Sequence, residues 1–187
     1  MSGFTNVKNI LERDVIHSEK LRKWDEKRGV HISAVLLAHS GDSWYWLTSL
    51  FLVWLFSDSI WHSYSAFLAI AILIQAVLVL GIKFVIKRRR PEGEWGAIYR
   101  NGDPHSFPSG HATRAAMLSI LFWGLHFPTW ILIVSIVWVF AVSYARVILG
   151  LHYQSDIIAG WLLGIVLGFC MLMLQPFFYQ NFPWLFF

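Results

Sequence analysis

Residues 63–91 read SYSAFLAIAILIQAVLVLGIKFVIKRRRP. Positions 63–86 are apolar almost throughout, and at 1.5 Å per residue they are long enough to cross a hydrocarbon core of about 30 Å. Lys87, Arg88, Arg89, Arg90 and Pro91 then end the run abruptly. A segment in lipid must satisfy its own backbone groups, so this stretch predicts a transmembrane helix with a cationic end.

Working outward, four further stretches approach the same length: 43–61, from 111 to just before Pro128, 129–150 and 154–174. The first is the weakest, because Asp58 interrupts its end. Composition agrees, with 57% hydrophobic and 14% charged residues among 187 and a mean hydropathy of +0.55. A soluble domain carries nearer a quarter charged residues, and disorder needs the inverse pattern. The fold class predicted is all-α, a polytopic transmembrane helix bundle of about five spans preceded by an amphipathic N-terminal helix. That helix falls within 7–28, where Val7, Ile10, Leu11, Val15, Leu21 and Trp24 share about half a helical wheel. It lies either on the membrane surface or on the domain's own loops.

The chain thus divides into an N-terminal amphipathic or interfacial segment (1–40), a transmembrane domain (41–175) and an aromatic tail (176–187) that reads as an interfacial anchor. Gly160, Gly164 and Gly168 recur on one helix face and predict close helix packing. Cys170 is the single cysteine, so neither an intrachain disulfide nor a thiolate metal cage can form. The net charge of +4 comes with no basic-aromatic surface outside the spans, which argues against nucleic acid as a partner.

Charges inside a membrane bundle are costly and mark functional sites by default. Three groups stand at span ends: Lys83 with Lys87–Arg90, then His105, Ser109, Gly110, His111 and Arg114, and finally Arg146, His152 and Asp156. The second span ends on one face, the third begins there, the fourth returns there and the fifth starts there. Parity therefore brings all three groups to one membrane face. Cations, histidines and a carboxylate suit a phosphoryl group, which guanidinium matches in bidentate fashion. The Pro108-Ser109-Gly110 turn opens a helix whose N-terminus is a ready anion site. His152 and Asp156, four residues apart, let the carboxylate bond one imidazole nitrogen and leave the other free to attack.

Plainer readings exist for several of these residues. Lys87, Arg88 and Arg89 read as a positive-inside flank, and His17, His31, His39, His62 and His126 as ordinary interfacial residues. Two histidines and an aspartate can hold a metal, but the surrounding Lys and Arg would repel one, so neither a metal nor any other cofactor is expected.

The three groups resemble the signatures of the type-2 phosphatidic acid phosphatase superfamily, K-x6-RP, PSGH and SR-x5-H-x3-D. Six residues separate Lys83 from Arg90-Pro91, Pro108-Ser109-Gly110-His111 follows, and then five residues separate Arg146 from His152 and three separate His152 from Asp156. Ala145 stands where the pattern has Ser. The resemblance implies catalysis by His152 as nucleophile, His111 as acid and then base, and Asp156 as the partner of His152. It implies phosphate binding by Lys83, Arg90, Ser109, Gly110 and Arg146, with a lipid phosphate as substrate and the bilayer as setting. Phosphatidate, phosphatidylglycerophosphate and isoprenyl diphosphates all qualify.

Two other functions fit less completely. A phosphotransferase would pass the phosphoryl group from His152 to a lipid or sugar acceptor; a non-catalytic anion-binding or transport bundle would need cations but no nucleophile. All fifteen Lys and Arg fall on the site face if the spans number five, seven of them ahead of the first span and Arg100 among the other eight. The positive-inside rule then puts the site in the cytoplasm. Many bacterial members of the resembled family have six spans and an outward site, and this chain looks like one without the first.

Overall fold

The computed structural model describes residues 2–58, 60–92 and 102–186, with side chains from residue 12 onward. Arg100 therefore lies outside the described residues, as does the side chain of Lys8. The helices are α1 (Ser2–Arg22), α2 (Arg28–Ser40), α3 (Ser43–Phe56), α4 (Ile60–Ile86), α5 (Gly110–Gly124), α6 (Thr129–Ile148), α7 (Gln154–Asn181) and α8 (Pro183–Phe186), with a 3-10 turn at Lys23–Glu26. Among the described residues there is no β-strand, only an isolated bridge between Arg89 and His105. The molecule is an all-α membrane bundle.

Three helices, α4, α6 and α7, are long and apolar enough to cross a bilayer. The expected first and third spans are shorter. α3 stops at Phe56 because Ser57 turns extended, and Trp61 belongs to α4 instead. α5 ends at Gly124 after fifteen residues, which at 1.5 Å each reach only about 22 Å. Its side chains from Ala112 to Leu118 are buried, so α5 is enclosed by neighbouring helices. A helix surrounded by protein need not match the lipid thickness, and apolarity alone does not distinguish the two settings.

α5 packs most closely on α7. A Cβ at Gly160 would lie 2.9 Å from the Ser109 carbonyl oxygen, and one at Gly164 would lie 2.2 Å from that of Thr113. These glycines let the two backbones meet, as their spacing predicts. Phe67, Ile72, Met117, Leu118 and Leu121 form the main core between α4 and α5.

Both ends of the chain pack on the bundle. α7 runs through Pro176 to Asn181, beyond the expected boundary at 175. The tail then folds back: Trp54 Nε1 donates to the Leu185 carbonyl at 3.0 Å, the Ser63 hydroxyl donates to that of Phe186, and Phe186 is fully buried. Part of the aromatic tail thus closes the far end of the bundle, a role composition cannot separate from an interfacial anchor.

At the other end α1 docks on α7, with Ser18 Oγ accepting from Gln154 N at 3.1 Å and Asp14 Oδ1 accepting from Ser155 N at 3.0 Å. Of the two sequence readings of this helix, packing on the domain is the one observed. α2 was not foreseen as a separate helix. Its Ala34 and Ala38 pack with Ala145, Leu149 and Leu151, so the position where the resembled family has Ser faces an apolar cluster beneath α2.

Candidate active site

The three sequence groups converge. A cavity of about 200 Å³ is lined by Lys83 of α4, Gly110, His111 and Arg114 of α5, Arg146 of α6 and His152 of the α6–α7 turn, with Gln75, Ser43 and Asp103 completing its wall. Leu80, half exposed on α4, stands at its edge. Arg90, Ser109 and Asp156 lie behind this lining, each almost wholly buried.

Local geometry explains the spacing from Arg146 to His152. The Arg146 carbonyl accepts from both Leu151 N (3.0 Å) and His152 N (3.3 Å), folding the chain back upon itself. Gly150 makes this fold at φ +65°, a conformation that L side chains rarely adopt, and Arg22 of α1 packs where a Cβ would stand. α7 starts two residues after His152, with Asp156 accepting from Tyr153 N at 2.9 Å. A carboxylate at this position also favours the positive end of the helix dipole.

Arg90 holds His152 from the other side. Its Nη1 donates to the Leu151 carbonyl at 2.8 Å and approaches His152 Nε2 at 3.3 Å. Guanidinium has no acceptor, so that nitrogen must present a lone pair and the ring proton belongs on Nδ1. Nδ1 faces Asp156 Oδ2 at 3.6 Å, beyond hydrogen-bond length. Such contacts often tighten only when substrate binds. Burial first, then the charges of Arg90, Arg146 and Lys83, push the His152 pKa well below the usual imidazole range. The ring is neutral and its Nε2 is available.

Ser109 caps α5, its Oγ accepting from Ala112 N at 3.5 Å, while its own N–H donates to the Asp156 carbonyl at 3.1 Å. The hydroxyl oxygen caps the helix start while its O–H remains a donor, and the residue also ties α5 to α7.

Several residues of the site were not identified from sequence. Arg88, read there as part of a charged flank, donates to Asp156 Oδ1 and Ser155 Oγ, both at 2.6 Å, and to Asp14 Oδ2 at 2.7 Å. It stacks over the Tyr153 ring at 4.2 Å, and so joins α1 to the carboxylate behind His152. Asp103 pairs with two of the expected phosphate ligands, accepting from Lys83 Nζ and from Arg90 Nη2 at 2.7 Å. A carboxylate stands where an anionic group would be bound.

Asp42, between α2 and α3, accepts from His111 Nε2 at 2.7 Å and from His39 Nδ1 at 2.9 Å. Burial raises its pKa, but the hydrogen bonds from the two histidines outweigh this and hold it at about 2. His39, read from sequence as ordinary, belongs to this chain of three. No local signal reveals Asp42, which is 69 residues from its partner. Among the described residues no three His, Cys, Asp or Glu side chains gather as metal ligands would.

Known proteins give the class. A transmembrane PAP2 type phosphatidylglycerolphosphate phosphatase from Bacillus subtilis shares the fold at a TM-score of 0.73 and 22% identity, over 92% of this chain and 88% of that one. The undecaprenyl-diphosphatase of Sulfolobus acidocaldarius is 30% identical over 144 residues, 75% of this chain and 68% of the relative. The lipid A 4'-phosphatase of Bacteroides thetaiotaomicron is 40% identical over 65 residues, 35% of this chain and 29% of the relative. The class is that of membrane-integral phosphatases, enzymes that hydrolyse phosphoric esters. Within it the chain belongs to the PAP2 superfamily, whose sequence profile matches residues 63–180.

Proposed function

We propose that this enzyme hydrolyses a lipid phosphate through a phosphohistidine on His152. The observation that carries the reading is the placement of the buried His152 ring, with Nε2 turned to Arg90 and Nδ1 to Asp156. Nε2 attacks phosphorus while Lys83, Arg90 and Arg146 neutralise the equatorial oxygens, with the backbone N–H groups at Gly110 adding to the anion site. His111 gives its proton to the leaving oxygen. Asp156 stabilises the imidazolium that forms. His111 then takes a proton from water, whose oxygen attacks the phosphohistidine and releases inorganic phosphate.

Three fixed cations supply the electrostatic stabilisation that metal ions provide in many phosphoryl-transfer enzymes. Substrates of the relatives, a polyprenyl diphosphate, lipid A and phosphatidylglycerolphosphate, support a lipid anchor and a terminal phosphate. Phosphatidate, phosphatidylglycerophosphate and isoprenyl diphosphates form the test panel. Phosphate release from at least one of them in the presence of EDTA is the expected result, and a requirement for added Mg²⁺ or Zn²⁺ would contradict the reading.

The charge pattern supports a site on the cytoplasmic face, since the described basic residues of α1, the 3-10 turn and α2 lie toward the site end of the bundle. An impermeant thiol probe should then miss a cysteine introduced at Ser2 in intact cells, and efficient labelling would reverse the orientation.

A further inference from the structure

The α2–α3 junction holds the His111 ring from outside the segment matched by the family profile. Asp42 Oδ1 lies 2.7 Å from Nε2 of that ring. The backbone there is packed against the same imidazole, because a Cβ at Gly41 would stand 2.8 Å from His111 Cδ2. Arg114, one turn along α5 from His111, donates to the Gly41 carbonyl and to Ser43 Oγ. The junction is thus fastened to α5 on both sides of Asp42. His39 occupies the second carboxylate oxygen at 2.9 Å and is itself partly exposed.

An ionised carboxylate only accepts hydrogen bonds. With Asp42 ionised, the proton on neutral His111 belongs on Nε2, and Nδ1 is left as the atom that exchanges a proton. The charged groups facing the ring are Asp42, Arg146 of α6 and Arg114 of α5. Two of the three are cations that favour the neutral ring, so the carboxylate is what favours the protonated form.

We propose that Asp42 is the positioning residue of the acid–base histidine, holding His111 in one tautomer and favouring its protonated form against the surrounding burial and arginines, for transfer to the leaving oxygen. The inference rests on the phosphatase reading above. It gives the site two histidine–carboxylate pairs, with Asp156 serving the nucleophile and Asp42 serving the acid.

The test compares two leaving groups in Asp42→Asn and Asp42→Glu. A lipid phosphomonoester such as phosphatidate, used in place of any diphosphate, expels an alkoxide, which needs a proton, whereas p-nitrophenyl phosphate expels a phenolate, which does not. Asp42→Asn is expected to lower kcat on the lipid phosphate about 10- to 100-fold, within the range of acid–base contributions. On the aryl ester it should still give a burst of p-nitrophenol near the wild-type rate, followed by slow turnover, because only the water-attack step then lacks its base. The alkaline limb of the lipid-phosphate profile should move to lower pH, and Asp42→Glu should restore most of both. Equal loss of burst and turnover on the two substrates, with an unmoved pH profile, would overturn the proposal.

Nitrogen chemical shifts of the His111 ring in the wild-type protein give a check that does not depend on the variants folding. The neutral form should carry its proton on Nε2, and a proton on Nδ1 would overturn the assignment. Failure of wild-type protein to hydrolyse either substrate would instead remove the phosphatase reading, and this inference with it.

Discussion

The two histidine–carboxylate pairs of the site differ in how the chain builds them. His152 and Asp156 are neighbours on one turn, set by the start of α7, and their contact is loose at 3.6 Å. His111 and Asp42 come from separate parts of the chain and are in firm contact at 2.7 Å. The loose pair belongs to the nucleophile, whose Nδ1 contact with Asp156 has to strengthen only as the imidazolium forms. The firm pair belongs to the acid, whose orientation has to be fixed in advance. The difference separates a group that gains a bond during the reaction from one that exchanges a proton.

The largest expected effect separates these roles outright. His152→Ala should lose phosphate release from every substrate, by at least about 10³-fold, since no covalent intermediate can form. His111→Ala should lose about 10²- to 10⁴-fold on a lipid phosphate, yet retain a burst with an aryl phosphate. A burst in His152→Ala, or none in His111→Ala, measured by rapid mixing, would exchange the two assignments.

A smaller effect is expected at Arg88, which holds the loose pair in place through Asp156 and also binds Asp14 of α1. Arg88→Ala should lower kcat by about tenfold, the order of a lost charge-assisted hydrogen bond, and make α1 more susceptible to proteolysis. Unchanged activity and cleavage would return Arg88 to the role of a charged flank.

The smallest effect is on stability against pH. The folded-state pKa of His152 is depressed, so below its ordinary value of 6.5 the unfolded chain takes up a proton that the folded chain resists. Stability is therefore full above that pH and falls as the solution is acidified. Asp42 behaves in a lower window: held at about 2 rather than 3.8, it contributes stability above 3.8 that disappears as pH falls through about 2. Melting temperatures in detergent between pH 7 and 5 should fall less steeply for His152→Gln than for wild type. Parallel slopes would mean that burial of His152 does not govern this window.

The same contrast explains what could be read from sequence. The parity argument brings Lys83, His111 and His152 to one face without side-chain detail, because helices in lipid must alternate direction. The segment from Arg146 to His152 closes on the Arg146 carbonyl, so its spacing is itself a structural signal. Asp42 carries no such signal, since a carboxylate between two helices has many possible partners. Arg88 is hidden by its neighbours, as three arginines in a row look alike until one is seen against Asp156. The short length of α5 and the burial of Phe186 are not legible in composition, because apolar and aromatic residues serve a protein core and a lipid boundary equally well.

The central claim, a phosphoryl group carried on His152, can be tested most directly by trapping. Brief incubation with a ³²P-labelled lipid phosphate followed by alkaline denaturation, under which phosphohistidine survives, should leave label on the wild-type chain in the peptide containing His152. His152→Ala should carry none, and Asp42→Asn should accumulate label from an aryl phosphate because its hydrolysis step is slowed. Label on another residue, or turnover without label at His152 when the water-attack step is slowed, would contradict the account.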